Sequence, residues 1–233
     1  MNVTASKLIR WSGLAAIGAG IIFAGIQPVH PPDVLSSVTT SAWAIIIALK
    51  WVMCLLFLAG FTGLYARQVE RAGWLGLAGY LMLMLAWFIQ TGYVFAEIFM
   101  LPVLSTAAPQ FVESFLGIAT MQPGQMDLGV VVPLYGLLSA LIILGSLLFG
   151  IATFRARVLP RWPAALLALT VVFIPVAALL PHAIQRMVGA IPLGIAVAWL
   201  GFALFTDRQG SAQIYTTRQM SPIPQTGAEE DHL

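Results

Sequence analysis

Six runs of apolar residues, each near the length that crosses a bilayer, alternate with short polar segments along this chain: 11–26, 42–65, 74–99, 128–154, 163–180 and 187–205. A spanning helix needs about 20 mostly apolar residues, because the hydrocarbon layer is about 30 Å thick and a helix rises about 1.5 Å per residue. No water reaches backbone N–H and C=O groups there, so the helix, which pairs them internally, is the form these runs can take. The third and fourth runs are long enough to tilt or to project past the lipid. The expected fold is all-α: a polytopic membrane protein with a bundle of six transmembrane helices over residues 1–206.

Composition supports the same class. Hydrophobic residues make up 60% of the 233 and charged residues 9%, whereas soluble domains carry about 25% charged residues. A water-facing surface cannot be built from so few charges, so the lipid bilayer is the expected partner. The net charge of +2 and the lack of a basic run argue against nucleic acid. The one cysteine, Cys54, lies in an apolar run, which excludes an intrachain disulfide and a cysteine-based metal centre. After Phe205 the chain turns polar and ends on Glu229, Glu230 and Asp231, so residues 207–233 read as a disordered cytoplasmic tail.

Orientation follows from the basic residues. Lys7, Arg10, Arg67, Arg71, Arg155, Arg157, Arg161, Arg208 and Arg218, nine of the eleven Lys and Arg, fall on one side of the expected membrane. That side is cytoplasmic by the positive-inside rule. Both ends of the chain then face the cytoplasm, and the location is a bacterial inner membrane. The opposite loops hold Asp33, Glu113 and Asp127, with Arg186 their cation. The first run follows Lys7 and Arg10 as a signal peptide does, but Gln27, Pro28 and the residues to Pro32 make a weak cleavage context, so it reads as a retained anchor.

The hairpins resemble one another. The chain enters each behind a basic residue and a tryptophan (Arg10 and Trp11, Arg71 and Trp74, Arg161 and Trp162), which suggests three parallel repeats about a pseudo-threefold axis. The longest outer loop, 101–127, carries Phe111, Val112, Phe115, Leu116 and Ala119 at helical spacing behind Pro109. It predicts a short amphipathic helix that either lies on the membrane surface or caps the bundle.

Ionisable groups at membrane depth are costly and point to sites. Lys50 lies within the second run and can reach Glu97 near the end of the third. His30, Glu97 and His182 end the outward helices of the three repeats, so a threefold arrangement would bring them together. Two imidazoles and a carboxylate form a ligand set for a divalent metal, although no H-E-x-x-H spacing is present. Arg186, four residues after His182, shares its helical face and could hold an anion or Glu97 instead. The candidate ligand-binding residues are therefore His30, Lys50, Glu97, His182 and Arg186, with His30, Glu97 and His182 as the metal set. An ion pair inside the bundle and solvated histidines at helix ends are the ordinary structural reading of the same residues.

No nucleophile elbow, P-loop or dinucleotide fingerprint occurs. The expected function is handling of a small solute or ion through an outward-facing polar pocket. An accessory or scaffolding subunit with membrane-protein partners, and a metal-dependent membrane enzyme, are the alternatives. Residues Gln27 to Asp33, Tyr65 to Trp74, Phe149 to Arg155 and Leu159 to Trp162 resemble segments of a group of uncharacterised bacterial six-helix integral membrane proteins. The resemblance spans about residues 6 to 208. It implies multi-pass topology and carries no activity.

Overall fold

The computed structural model describes residues 4–207 apart from 121, 123 and 178, without the side chains of His182 and Ala183. The acidic tail expected to be disordered lies outside the described residues. Within them the chain is helical and has no strand: α1 (Ala5–Ile26), α2 (Ser41–Phe95), α3 (Leu101–Ala107), α4 (Pro109–Thr120), α5 (Val131–Ala156), α6 (Arg161–Ala168), α7 (Thr170–Ala177) and α8 (His182–Thr206). A π-helical turn, Ala96–Met100, joins α2 to α3. Four helical stretches are long and apolar enough to cross a membrane: Ala5–Val29, Ser41–Ala107, Val131–Ala156 and Ile184–Thr206. The apolar stretch Arg161–Ala177 is shorter.

The second stretch has 67 residues, far more than the ~20 that one crossing takes. It is a hairpin. Gly73, at φ 58° and ψ −166°, breaks the helix in a conformation that side-chain-bearing residues avoid. The halves 41–72 and 74–95 then lie against each other. Tyr65 stacks on Tyr80 with ring centroids 4.6 Å apart, Phe57 stacks on Trp87 at 3.8 Å, and Lys50 meets Glu97. The glycine at the Arg71-to-Trp74 turn is thus where one long helical signal becomes two packed helices.

The other helices close around this hairpin. α1 packs between α2 and α8, α5 packs along α2, and α6 and α7 lie against α5 and α8. The α1–α8 contact is backbone to backbone. A Cβ on Gly20 would fall 2.3 Å from the Gly194 carbonyl, and a Cβ on Gly201 would fall 2.7 Å from that of Gly13. Such small-residue seams let helices associate where no hydrophobic driving force separates them from lipid. At the end of the bundle where α1 begins and α8 ends, Arg67 pairs with Asp207 at 2.8 Å and Arg10 donates to the Phe205 carbonyl at 3.0 Å.

One boundary differs from the sequence reading. The third apolar run does not stop at Phe99: helix continues through Ala96–Met100 and α3 to Ala107. The expected loop helix is α4. Its Val112, Phe115 and Leu116 are buried and belong to the core, so it caps the bundle.

Across the middle of the bundle runs an aromatic plug. Phe23 stands edge-on to both Phe57 and Trp87, and Phe61 stands edge-on to Phe149. On the side where α1 begins and α8 ends, Gln68 donates to Thr153 Oγ1 at 2.8 Å, and both residues are buried.

Candidate functional site

The end of the bundle away from Ala5 and Thr206 gathers charged side chains. Lys50 Nζ lies 2.6 Å from Glu97 Oε2, with side chains 18% and 11% exposed. Glu97 is placed there by the π-helical turn, in which one extra residue per turn rotates the following side chains. Trp43, fully buried near the start of α2, fixes the same turn by donating Nε1–H to the Glu97 carbonyl at 3.1 Å. Trp43 is itself oriented by its place in the helix: Thr40 caps α2 by accepting from the Trp43 N–H.

A second pair stands nearby. Arg186, in the second turn of α8, donates to Asp33 Oδ2 in the loop after α1. The loop reaches Arg186 because α1 stops where Pro28 starts a 3-10 turn and Pro31 and Pro32 keep the chain extended. The sequence offered Glu97 or a free anion as partners for Arg186; the structure gives it Asp33 instead, because the proline-rich loop swings the carboxylate onto α8.

His30 and Tyr135 connect the pairs. His30 packs edge-on against Trp43, 6.1 Å between ring centroids. Its Nδ1 lies 2.7 Å from the Pro31 carbonyl; a carbonyl only accepts, so Nδ1 carries the proton and Nε2 presents a lone pair. Burial pushes the His30 pKa down to about 4, and the positive charges of Lys50 and Arg186 add to it against Asp33 and the Pro31 carbonyl. The ring is therefore neutral at neutral pH. Tyr135, in the second turn of α5, sits within the fields of Lys50, Glu97, Asp33 and Arg186 together. Among the described residues the site thus holds two cations, two anions and a neutral imidazole, so its formal charges balance.

Of the five residues singled out in the sequence, His30, Lys50, Glu97 and Arg186 share this end of the bundle. His182 begins α8 four residues before Arg186, and its side chain lies outside the described residues. Among the described residues no three His, Cys, Asp or Glu side chains come together to hold a metal ion. His30 and Glu97 flank Trp43, and the charges acting on His30 include two cations, which disfavour a divalent ion there.

Asp33, Trp43, Tyr93 and Tyr135 were not singled out as site residues. Asp33 had a readable signal, since it and Arg186 are lone opposite charges in short outer loops. The tyrosines have none, because aromatic residues recur on most of the long helices of this chain.

Comparison with known proteins finds no matching family model, curated protein or solved structure.

Proposed function

We propose that the chain is a multi-pass inner-membrane protein that crosses the bilayer six times, with both ends cytoplasmic, and binds a small solute in an outward-facing polar pocket. The Gly73 hairpin supplies two crossings from one helical stretch, and α6 with α7 supplies a short, broken one. The positive-inside distribution supports the orientation, and the resemblance to bacterial six-helix proteins agrees with it. One observation carries the functional reading: two ion pairs, Lys50 with Glu97 and Asp33 with Arg186, stand with His30 and Trp43 at one end of the bundle. Burying four charges that serve packing alone costs more than apolar replacement would, so they favour a site. The aromatic plug of Phe23, Phe57 and Trp87 beneath them supports binding at one face over free passage.

The test uses the whole chain in lipid nanodiscs. Thermal unfolding is followed against phosphate, magnesium, choline, glycine and phosphoethanolamine, for the wild type and for a K50M/E97L double variant. Saturable stabilisation by one class in the wild type, absent from the double variant, is the expected result. Indifference of the wild type to every compound would sink the solute reading and leave the scaffolding one.

A further inference from the structure

Beside the charged site, on the outside of the bundle, runs an open groove of about 580 Å³. Trp51, Phe88, Gly92, Tyr93, Phe115 and Leu134 line it, so its walls come from both halves of α2, the α4 cap and the first turn of α5. It is apolar almost throughout. Its floor is open at Gly92, where an added Cβ would meet nothing within 4 Å. Phe88 and Phe95 on its lip are 69% and 47% exposed, as residues facing acyl chains are.

Groove and charged site share a wall. Tyr93 lines the groove, donates its hydroxyl to the Val131 carbonyl, and packs edge-on against Tyr135 with centroids 5.1 Å apart. Ala96, whose neighbour Glu97 pairs with Lys50, lines the groove as well. An apolar groove open to lipid and a set of paired charges therefore meet at Ala96 and Glu97, successive residues of the π-helical turn.

We infer that the ligand of this site is a zwitterionic phospholipid of the outer leaflet, its phosphate and ammonium exchanging with the Lys50–Glu97 and Asp33–Arg186 pairs and one acyl chain lying in the Gly92 groove. The inference rests on the pocket proposed above and names its ligand class. Charge complementarity selects the headgroup. Two cations and two anions can each find an opposite partner in a phosphate and an ammonium and leave no net charge behind, whereas an anionic headgroup or a bare cation leaves one charge of the site unpaired in a poorly hydrated place. Apolar complementarity selects the chain, since the groove offers few polar partners.

The experiment titrates phosphatidylethanolamine with a brominated acyl chain into nanodiscs of unbrominated phosphatidylglycerol that hold the full chain, and reads tryptophan quenching. Bromine quenches an indole on contact, and Trp51 lines the groove. The wild type should quench along a saturating curve at low brominated fraction, reversed by unbrominated phosphatidylethanolamine. W51F should lose most of the saturable part, and G92L should weaken it by roughly tenfold or more. G25L, at an exposed glycine with equally open space, should behave as wild type. Quenching that rises linearly with brominated lipid in every chain means annular lipid only and overturns the inference. Saturable quenching that survives G92L overturns it as well. If soluble phosphoethanolamine stabilises the wild type while lipid quenching stays linear, the pocket stands and its lipid ligand falls. If the G92L chain does not fold, reversal by unbrominated lipid in the wild type decides alone, and failure to reverse counts against the inference.

Discussion

Lys50 and Glu97 are 47 residues apart in the chain and 2.6 Å apart in the fold, closed together by the hairpin at Gly73. Each is largely buried, so neither charge is tolerable alone. E97L, which leaves the ammonium unpaired, should lose about 3 kcal/mol of stability, and K50M/E97L should recover most of it. Thermal unfolding in one detergent checks both. Equal stability of the single and double variants would mean that the pair does not hold the hairpin.

Asp33 and Arg186 should be coupled in the same sense, because this pair ties the loop after α1 to α8. A double-mutant cycle with D33N and R186Q should return an interaction of about 1 kcal/mol or more. Protease cutting within residues 30–40 should rise in either single variant. Additive effects with an unchanged cutting pattern would mean that the proline segment holds the loop unaided.

How much of this was readable beforehand depends on what kind of signal each feature leaves. Apolar runs and the placing of Arg and Lys are compositional, so the helical class and the Lys50–Glu97 encounter were legible. The helix boundary after Phe99 was not. A π-helical turn inserts a residue without changing composition, and Ala96–Met100 looks like any other apolar stretch. Arg186 was recognised as the outer cation, but its partner depends on where Pro31 and Pro32 send Asp33, a matter of backbone direction that no spacing rule encodes. The role of α4 was left open between surface and cap, because an amphipathic pattern shows that one face is apolar and not what covers it. The buried Val112 and Leu116 decide for the cap.

Acid sensitivity should report on His30. Its folded pKa, about 4, lies below the ordinary value of 6.5 because burial and Lys50 oppose the imidazolium, with Arg186 adding and Asp33 opposing. The unfolded chain therefore binds the extra proton first. The histidine's contribution to stability is intact above pH 6.5 and is lost as pH falls from 6.5 towards 4. H30N should flatten that part of the stability-versus-pH curve and leave the neutral region nearly unchanged. An unaltered slope in H30N would mean that His30 does not carry the acid loss.

The glycine seam between α1 and α8 gives the most direct test of the bundle itself. Gly20 and Gly194 face each other so closely that each would drive a Cβ into the other's backbone carbonyl, at 2.3 and 2.7 Å. Neither position has a flexible side chain to displace, so the helices must part. Gly60 packs as closely on Ala16, which holds the other face of α1 against α2 and prevents it from moving aside. G20L and G194L should each cost about 2 kcal/mol or more, at the upper end of what overpacking usually costs. The double variant should cost less than twice that, because helices already separated by one side chain have room for the second. G25L, facing open space on the same helix, should be nearly silent. Thermal unfolding of the four chains, with cross-linking between cysteines placed on α1 and α8 in a C54A background, separates the outcomes. If G20L and G25L melt alike and the cross-link forms equally in both, α1 and α8 do not pack through this seam.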